Sequence, residues 1–169
     1  MKTILKRSKT LIADNSGPTS TLSYVKDTEV IHPDMAMINI TGASLPKVVF
    51  TPINTSEKWV SSGKKESLNT IAAYMILEYH QRESSIMGDP TRPGGQGKGI
   101  VDFALDFVSL FRGQRFSIAG SIPYLDKPTD IKSIEYFKTS ISEDASLLVA
   151  EVIMECSRLF VAIPLPGDV

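Results

Sequence analysis

Between Glu66 and Glu83 the apolar residues Leu68, Ile71, Ala72, Met75, Ile76 and Tyr79 recur at the i, i+3, i+4, i+7 spacing that lines one face of a helix. The spacing predicts a helix over this stretch. Tyr74 and Leu77 widen the apolar face, so the element must sit deep in a core or be covered on a second side. A second amphipathic pattern runs from Ile100 to Phe111. Here Ile100, Phe103, Ala104, Phe107, Val108 and Phe111 share one side, with Asp102, Asp106 and Ser109 opposite. The aromatic stripe of Phe103, Phe107 and Phe111 is expected to pack on Leu68, Ile71 and Met75.

The stretch Gly88 to Gly99 between the two patterns is rich in glycine and proline, which sustain neither helix nor strand, and is expected to be a loop. From Leu22 to Ile53 short apolar pieces are punctuated by Pro33, Gly42, Pro46 and Pro52. The strand candidates there are Val30-Ile31, Met35 to Ile40 and Val48-Val49-Phe50. Phe116 to Tyr124 reads as extended, and Asp126-Lys127-Pro128 as a turn. The last apolar block carries two signals. Ser142 as N-cap, Glu143 and Asp144 in a first turn, and Glu151, Glu155 and Arg158 on one face favour a helix to about Phe160. The density of Val149, Val152, Ile153, Val161 and Ile163 favours a strand. The helix reading is preferred.

These elements predict an α+β fold: a single compact domain over 22–169, with two to three amphipathic helices packed on short, mainly antiparallel strands. A length of 169 residues suits one domain, and 42% hydrophobic against 22% charged residues excludes a disordered chain. Residues 1–21, which end in the turn formers and hydroxyls of Asp14 to Thr21, are expected to be a flexible basic and polar arm. The lone Cys156 points to a reducing compartment. The basic residues of Met1 to Lys9 are not followed by the apolar run of an export signal. The most apolar segment, Leu147 to Ile163, is interrupted by Glu151, Glu155 and Arg158 and is unsuited to span a bilayer. The expected location is intracellular and cytoplasmic, peripheral to a membrane or within a virion.

Net charge is −1 but unevenly distributed: residues 1–99 carry 12 Lys and Arg against 9 Asp and Glu, and residues 100–169 carry 6 against 10. Opposite-sign halves would favour head-to-tail contact. The Gly-rich loop lacks the spacing of a phosphate-cradling Walker loop. Pro93 stands where a glycine should precede Lys98, and Gly99 where Ser or Thr should follow it. The loop is expected to contact a partner through Arg92 and Lys98. His32, His80 and Cys156 do not share metal-ligand spacing. Asp102 and Asp106, one turn apart, could pair for acid-base chemistry, but they occupy the polar stripe of their helix and read as solvated. The expectation is a non-enzymatic protein without cofactor, metal or small-molecule substrate.

The basic start remains. Lys2, Lys6, Arg7 and Lys9 alternate with Ile4, Leu5, Leu11 and Ile12, a pattern in which charges meet phosphates while apolar groups bury. These four basic residues are the candidate contacts to membrane or nucleic acid. A compact α+β domain without catalytic motif, preceded by the basic and apolar segment Met1 to Lys9, resembles the small matrix proteins of rhabdovirus-like negative-strand RNA viruses. The resemblance implies a structural virion protein that forms homo-oligomers and bridges an anionic membrane surface and a nucleocapsid. A viral coat or capsid subunit is one alternative. Another is a small transferase or hydrolase using Asp102, Asp106 or the Gly-rich loop.

Overall fold

Long strands, rather than helices, dominate the computed structural model, which describes residues 1–31, 45–79, 83–89, 91, 97–118, 122–140 and 146–161. Three helices are present among them: α1 (Lys2–Asp14), α2 (Ser84–Met87) and α3 (Ile100–Phe111). A five-stranded sheet is built from β1 (Asp27–Val30), β2 (Lys47–Ser61), β3 (Lys64–Glu78), β6 (Asp130–Ser140) and β7 (Ser146–Val161). The short strands β4 (Ser117–Ile118) and β5 (Ile122–Pro123) pair separately, in the segment read as extended.

Strand order in the large sheet is β1-β2-β3-β7-β6. β1 runs parallel to β2, Asp27 beside Lys47, and the other neighbours are antiparallel. The sheet is therefore mixed and its main strands are long, which corrects the expectation of helices packed on short strands. β2 and β3 form a hairpin whose turn holds Ser62 and Gly63. Gly63 has φ of +77°, a conformation that such two-residue turns require and that glycine adopts without strain.

The expected helix over 66–83 is largely β3. This strand lies at the centre of the sheet, and from Ile71 to Leu77 both its faces are largely buried. Ile71, Ala73, Met75 and Leu77 join the main core, while Ile76 joins a smaller cluster with Val49, Leu147 and Val149. A strand covered on both faces shows an unbroken apolar run, and helical spacings can be picked out of it by chance. The same reason overturns the helix expected at the end of the chain. β7 places Leu148, Ala150, Val152, Met154 and Cys156 in the main core, with Leu147 and Val149 in the other cluster. Glu151 and Glu155, which suggested a polar helical face, are partly buried and stand beside Glu135 and Asp130 of β6.

The helix over Ile100 to Phe111 forms as expected. Its buried residues, Ile100, Phe103, Ala104, Phe107, Val108 and Phe111, match the apolar side read from the sequence. Phe107 stacks on Phe111 with ring centroids 4.3 Å apart, and Phe50 of β2 lies 6.0 and 5.8 Å from the two rings. Ile71 and Met75 share this core as expected. Leu68 does not: it stands beside Ser56 and Ser157 and is only partly buried.

Residues 1–21 also depart from the expected arm, because α1 buries Ile4, Leu5, Ser8 and Ile12. The stripe at positions 4, 8 and 12 holds a serine in its middle, which hides the helical period from a reading of apolar residues alone. The helix closes where Asn15 Nδ2 donates to the Leu11 carbonyl (2.9 Å) and Ser16 Oγ to that of Ile12 (2.7 Å), satisfying carbonyls left open in the last turn. Of the earlier strand candidates, Val48 to Phe50 lies in β2 and Val30 ends β1, whereas Met35 to Ile40 falls outside the described residues.

Phe107 is fully buried among aromatic neighbours, so Phe107→Ala should destabilise the fold by about 3–5 kcal/mol. Chemical denaturation followed by circular dichroism measures this. A loss below about 1 kcal/mol would show that the ring does not anchor the core.

Candidate functional site

The two faces of α1 differ sharply. Ile4, Leu5, Ser8 and Ile12 are buried, Lys2, Lys6 and Lys9 are exposed, and Arg7 is partly buried between them. The helical repeat that buries one side thus places the lysines on the outer side of a packed element. Lys2, Lys6 and Arg7 line a groove of about 680 Å³ together with Gln114 and Phe116, which follow α3. Asp14 is the one carboxylate in its wall.

Arg7 also reaches Tyr124, where it meets a residue not singled out in the sequence. Its guanidinium carbon lies 5.3 Å from the centre of the Tyr124 ring, and that of Arg158 lies 4.4 Å from the same centre. Arg158 Nη1 donates to the Tyr124 hydroxyl at 3.1 Å. Arg7 Nε is buried without a hydrogen-bond partner. Tyr124 is brought to this place by the segment after β5, which docks on β7 as the Asp126 amide donates to the Ser157 carbonyl (3.2 Å). Arg158 was read as a helical surface charge. Its position on a strand, beside an aromatic ring far away in the chain, has no local signal in the sequence.

The remaining candidates are tied into the fold. Asp102 Oδ2 accepts from the Gly99 amide (3.4 Å) and so caps α3. Asp106 Oδ2 accepts from the Tyr24 hydroxyl (2.9 Å) and pairs with Lys98 Nζ (3.0 Å). Burial, followed by the charge of Asp106, holds the Tyr24 hydroxyl well above its ordinary pKa. The two carboxylates therefore serve separate structural contacts, and Lys98 ties the end of its loop to α3. Cys156 is buried, with Thr129 Oγ1 at 3.7 Å, and burial pushes its thiol up to about 11. Such a thiol is protonated, and a poor nucleophile, at neutral pH. His32, His80 and Arg92 fall outside the described residues.

Two charged clusters that no motif announces hold the sheet together. Lys47 is buried at the start of β2 and pairs with Asp27 (3.1 Å) and Glu29 (2.7 Å) of β1. Burial alone would lower the pKa of its ammonium, but hydrogen bonds to Glu29 and Asp27 raise it above the ordinary value. Glu66 of β3 accepts from Lys127 Nζ (2.6 Å) and Ser157 Oγ (2.7 Å) and pairs with Lys58 Nζ (3.0 Å). The hydrogen bond from Lys127, then those from Ser157 and Lys58, lower its carboxyl to about 2.

Among the described residues no group of three or more His, Cys, Asp or Glu side chains is placed to hold a metal ion. Among the same residues no helix is long and apolar enough to cross a membrane. No family model matches the sequence, and no curated protein matches it.

The lowered pKa of Glu66 gives a signed prediction. Its ionised form is favoured in the fold, so its contribution is present above about 4.5, the ordinary value, and is lost as pH falls from there towards 2. Glu66→Gln should therefore flatten the dependence of stability on pH in that window. Denaturation midpoints measured across it test this, and parallel profiles for the variant and the parent would remove Glu66 from the account.

Proposed function

We propose that the protein is a non-enzymatic assembly subunit that self-associates while the basic face of α1 meets an anionic surface. The observation that carries this reading is the outward placement of Lys2, Lys6 and Lys9 on a helix whose other side is packed into the core. Charges on a fixed helix face act together on a surface, without the entropy loss of ordering a free tail. The non-enzymatic part is supported by Asp102 and Asp106, the carboxylates that a small hydrolase or transferase would use, since each is engaged in holding α3 or its neighbours.

Self-association is supported by the projecting end of the sheet. Trp59, Val60 and Val161 are 50%, 55% and 75% exposed there, and apolar groups gathered at one end of a domain favour burial against another molecule. This reading takes up the role that the resemblance to small matrix proteins of rhabdovirus-like viruses implies: a subunit that forms a layer and lies against a lipid surface.

The variant Lys2→Glu/Lys6→Glu/Lys9→Glu tests the basic face without removing any buried residue of α1. Each lysine near an anionic membrane contributes about 1 kcal/mol, so losing three and adding three repelled carboxylates should weaken binding to phosphatidylserine vesicles by at least about 100-fold. Co-sedimentation at fixed ionic strength measures it, with circular dichroism to confirm the fold. Sedimentation equilibrium over a range of concentrations should show reversible oligomers. Unchanged vesicle binding by the variant would sink the surface reading, and a strict monomer at high concentration would sink the assembly reading.

A further inference from the structure

Both guanidiniums over Tyr124 lack a carboxylate within ion-pair distance among the described residues, whereas the buried Lys47 and Glu66 are each paired. Their ring contacts place the two cations within roughly 10 Å of one another. A tyrosine face offsets part of that repulsion, yet leaves their N–H donors without anionic acceptors. Beside the ring lies a cavity of about 310 Å³, lined by Tyr124 and Arg158 and by Ser67 and Asn69 of β3. Its wall on the α1 side is Met1 and Ile4, and Phe160 lines it from β7.

The donors at this place are suited to one ligand chemistry. Arg158 spends one N–H on the Tyr124 hydroxyl, which leaves that hydroxyl's own proton and the remaining guanidinium protons to give. The Ser67 hydroxyl accepts from Asn69 Nδ2 (3.3 Å) and likewise retains its proton. Arg7, with its unpaired Nε, lines the basic groove beside α1 and reaches the Tyr124 ring from there. Guanidiniums bind tetrahedral oxyanions through forked hydrogen bonds, and an Oη–H and an Oγ–H can serve further oxygens of the same group.

We propose that Arg158, Tyr124 and Ser67, with Arg7 at the Tyr124 ring, form a binding site for a dianionic phosphoryl group, the chemistry shared by free phosphate and a phosphorylated lipid headgroup. The site deepens the surface reading given above, on which its lipid arm rests, by adding recognition of a particular group to attraction by net charge. A nucleic-acid strand is the less suited occupant. The ring that would stack a base is already covered by guanidiniums, and base stacking supplies much of single-strand affinity.

Three measurements on the full chain test the assignment. Inorganic phosphate should raise the thermal midpoint of the parent saturably, beyond chloride at matched ionic strength. Arg158→Gln should abolish that response, and Arg7→Gln should weaken half-saturation at least threefold. Arg158→Lys keeps the charge but loses the fork, and should retain only part of the response. It also serves if Arg158→Gln proves poorly folded. Vesicles carrying phosphatidylinositol 4-phosphate should bind the parent at least tenfold more tightly than phosphatidylserine vesicles of equal surface charge, and Arg158→Gln should erase the difference. Equal phosphate responses in parent and Arg158→Gln would overturn the site. So would an oligonucleotide that binds through Arg158 while phosphate does not. Loss of vesicle binding in the triple lysine variant, with its phosphate response intact, would support the site as separate. The phosphate response in solution needs no membrane, so failure of the surface reading and failure of this site are distinguishable.

Discussion

The backbone ladder on the two sides of β3 is the constraint on which the remaining structure depends. A buried strand leaves no amide or carbonyl unpaired without a cost of order 1–3 kcal/mol, so both its edges must be matched by long partners. β7 pairs with β3 from Lys64 beside Val161 to Glu78 beside Leu147 without a register shift, and β2 covers the other edge. Because β3 is apolar on both faces through Ile71 to Leu77, each side of the sheet must be covered there as well. The helices answer this demand on one side: α3 brings its phenylalanines over Phe50, and α1 adds Ile4 and Ile12 to the same core.

That arrangement has an electrostatic outcome. Once α1 is used to cover the sheet, its lysines cannot follow the buried stripe inward and are held in fixed positions on the outside. Elsewhere the fold neutralises its charges: Lys47 between Asp27 and Glu29, Lys132 between Asp130 and Glu155, Glu66 among Lys58, Lys127 and Ser157. Against this background the basic side of α1 and the arginines over Tyr124 stand apart. Their charge is left available, whereas the buried charges at Lys47 and Glu66 are compensated within the fold.

Legibility in the sequence followed from how many sides of an element are buried. α3 is covered on one side, so its period of 3.6 survives in Phe103, Phe107 and Phe111, and the residues read from the sequence are those found buried. β3 and β7 are covered on two sides, and an apolar residue at nearly every position erases the contrast on which a period depends. The β-branched density of β7 was the sounder signal, outweighed by charges that lie on a strand. The basic residues near the start were visible, but the helix that presents them was concealed by Ser8 in its buried stripe. Tyr124 and Arg158 were beyond reach because their meeting depends on tertiary placement alone, one on the segment after β5 and the other near the end of β7. The role of Asp102 lay closer to hand, since a carboxylate three residues past Gly99 is placed to cap a helix.

The pairing of β2 with β3 is interrupted twice, between Pro52 and Asn54 and between Trp59 and Ser61, and β1 covers the outer edge of β2 only from Lys47 to Phe50. Beyond that point, among the described residues, the edge belongs to a strand interrupted by Pro52 and by two register shifts. A strand from another copy could zip along it for a few residues before losing step. Sheet-by-sheet growth into fibres is thereby discouraged, and a protein of this shape can be crowded at high local concentration while its contacts remain those of folded surfaces.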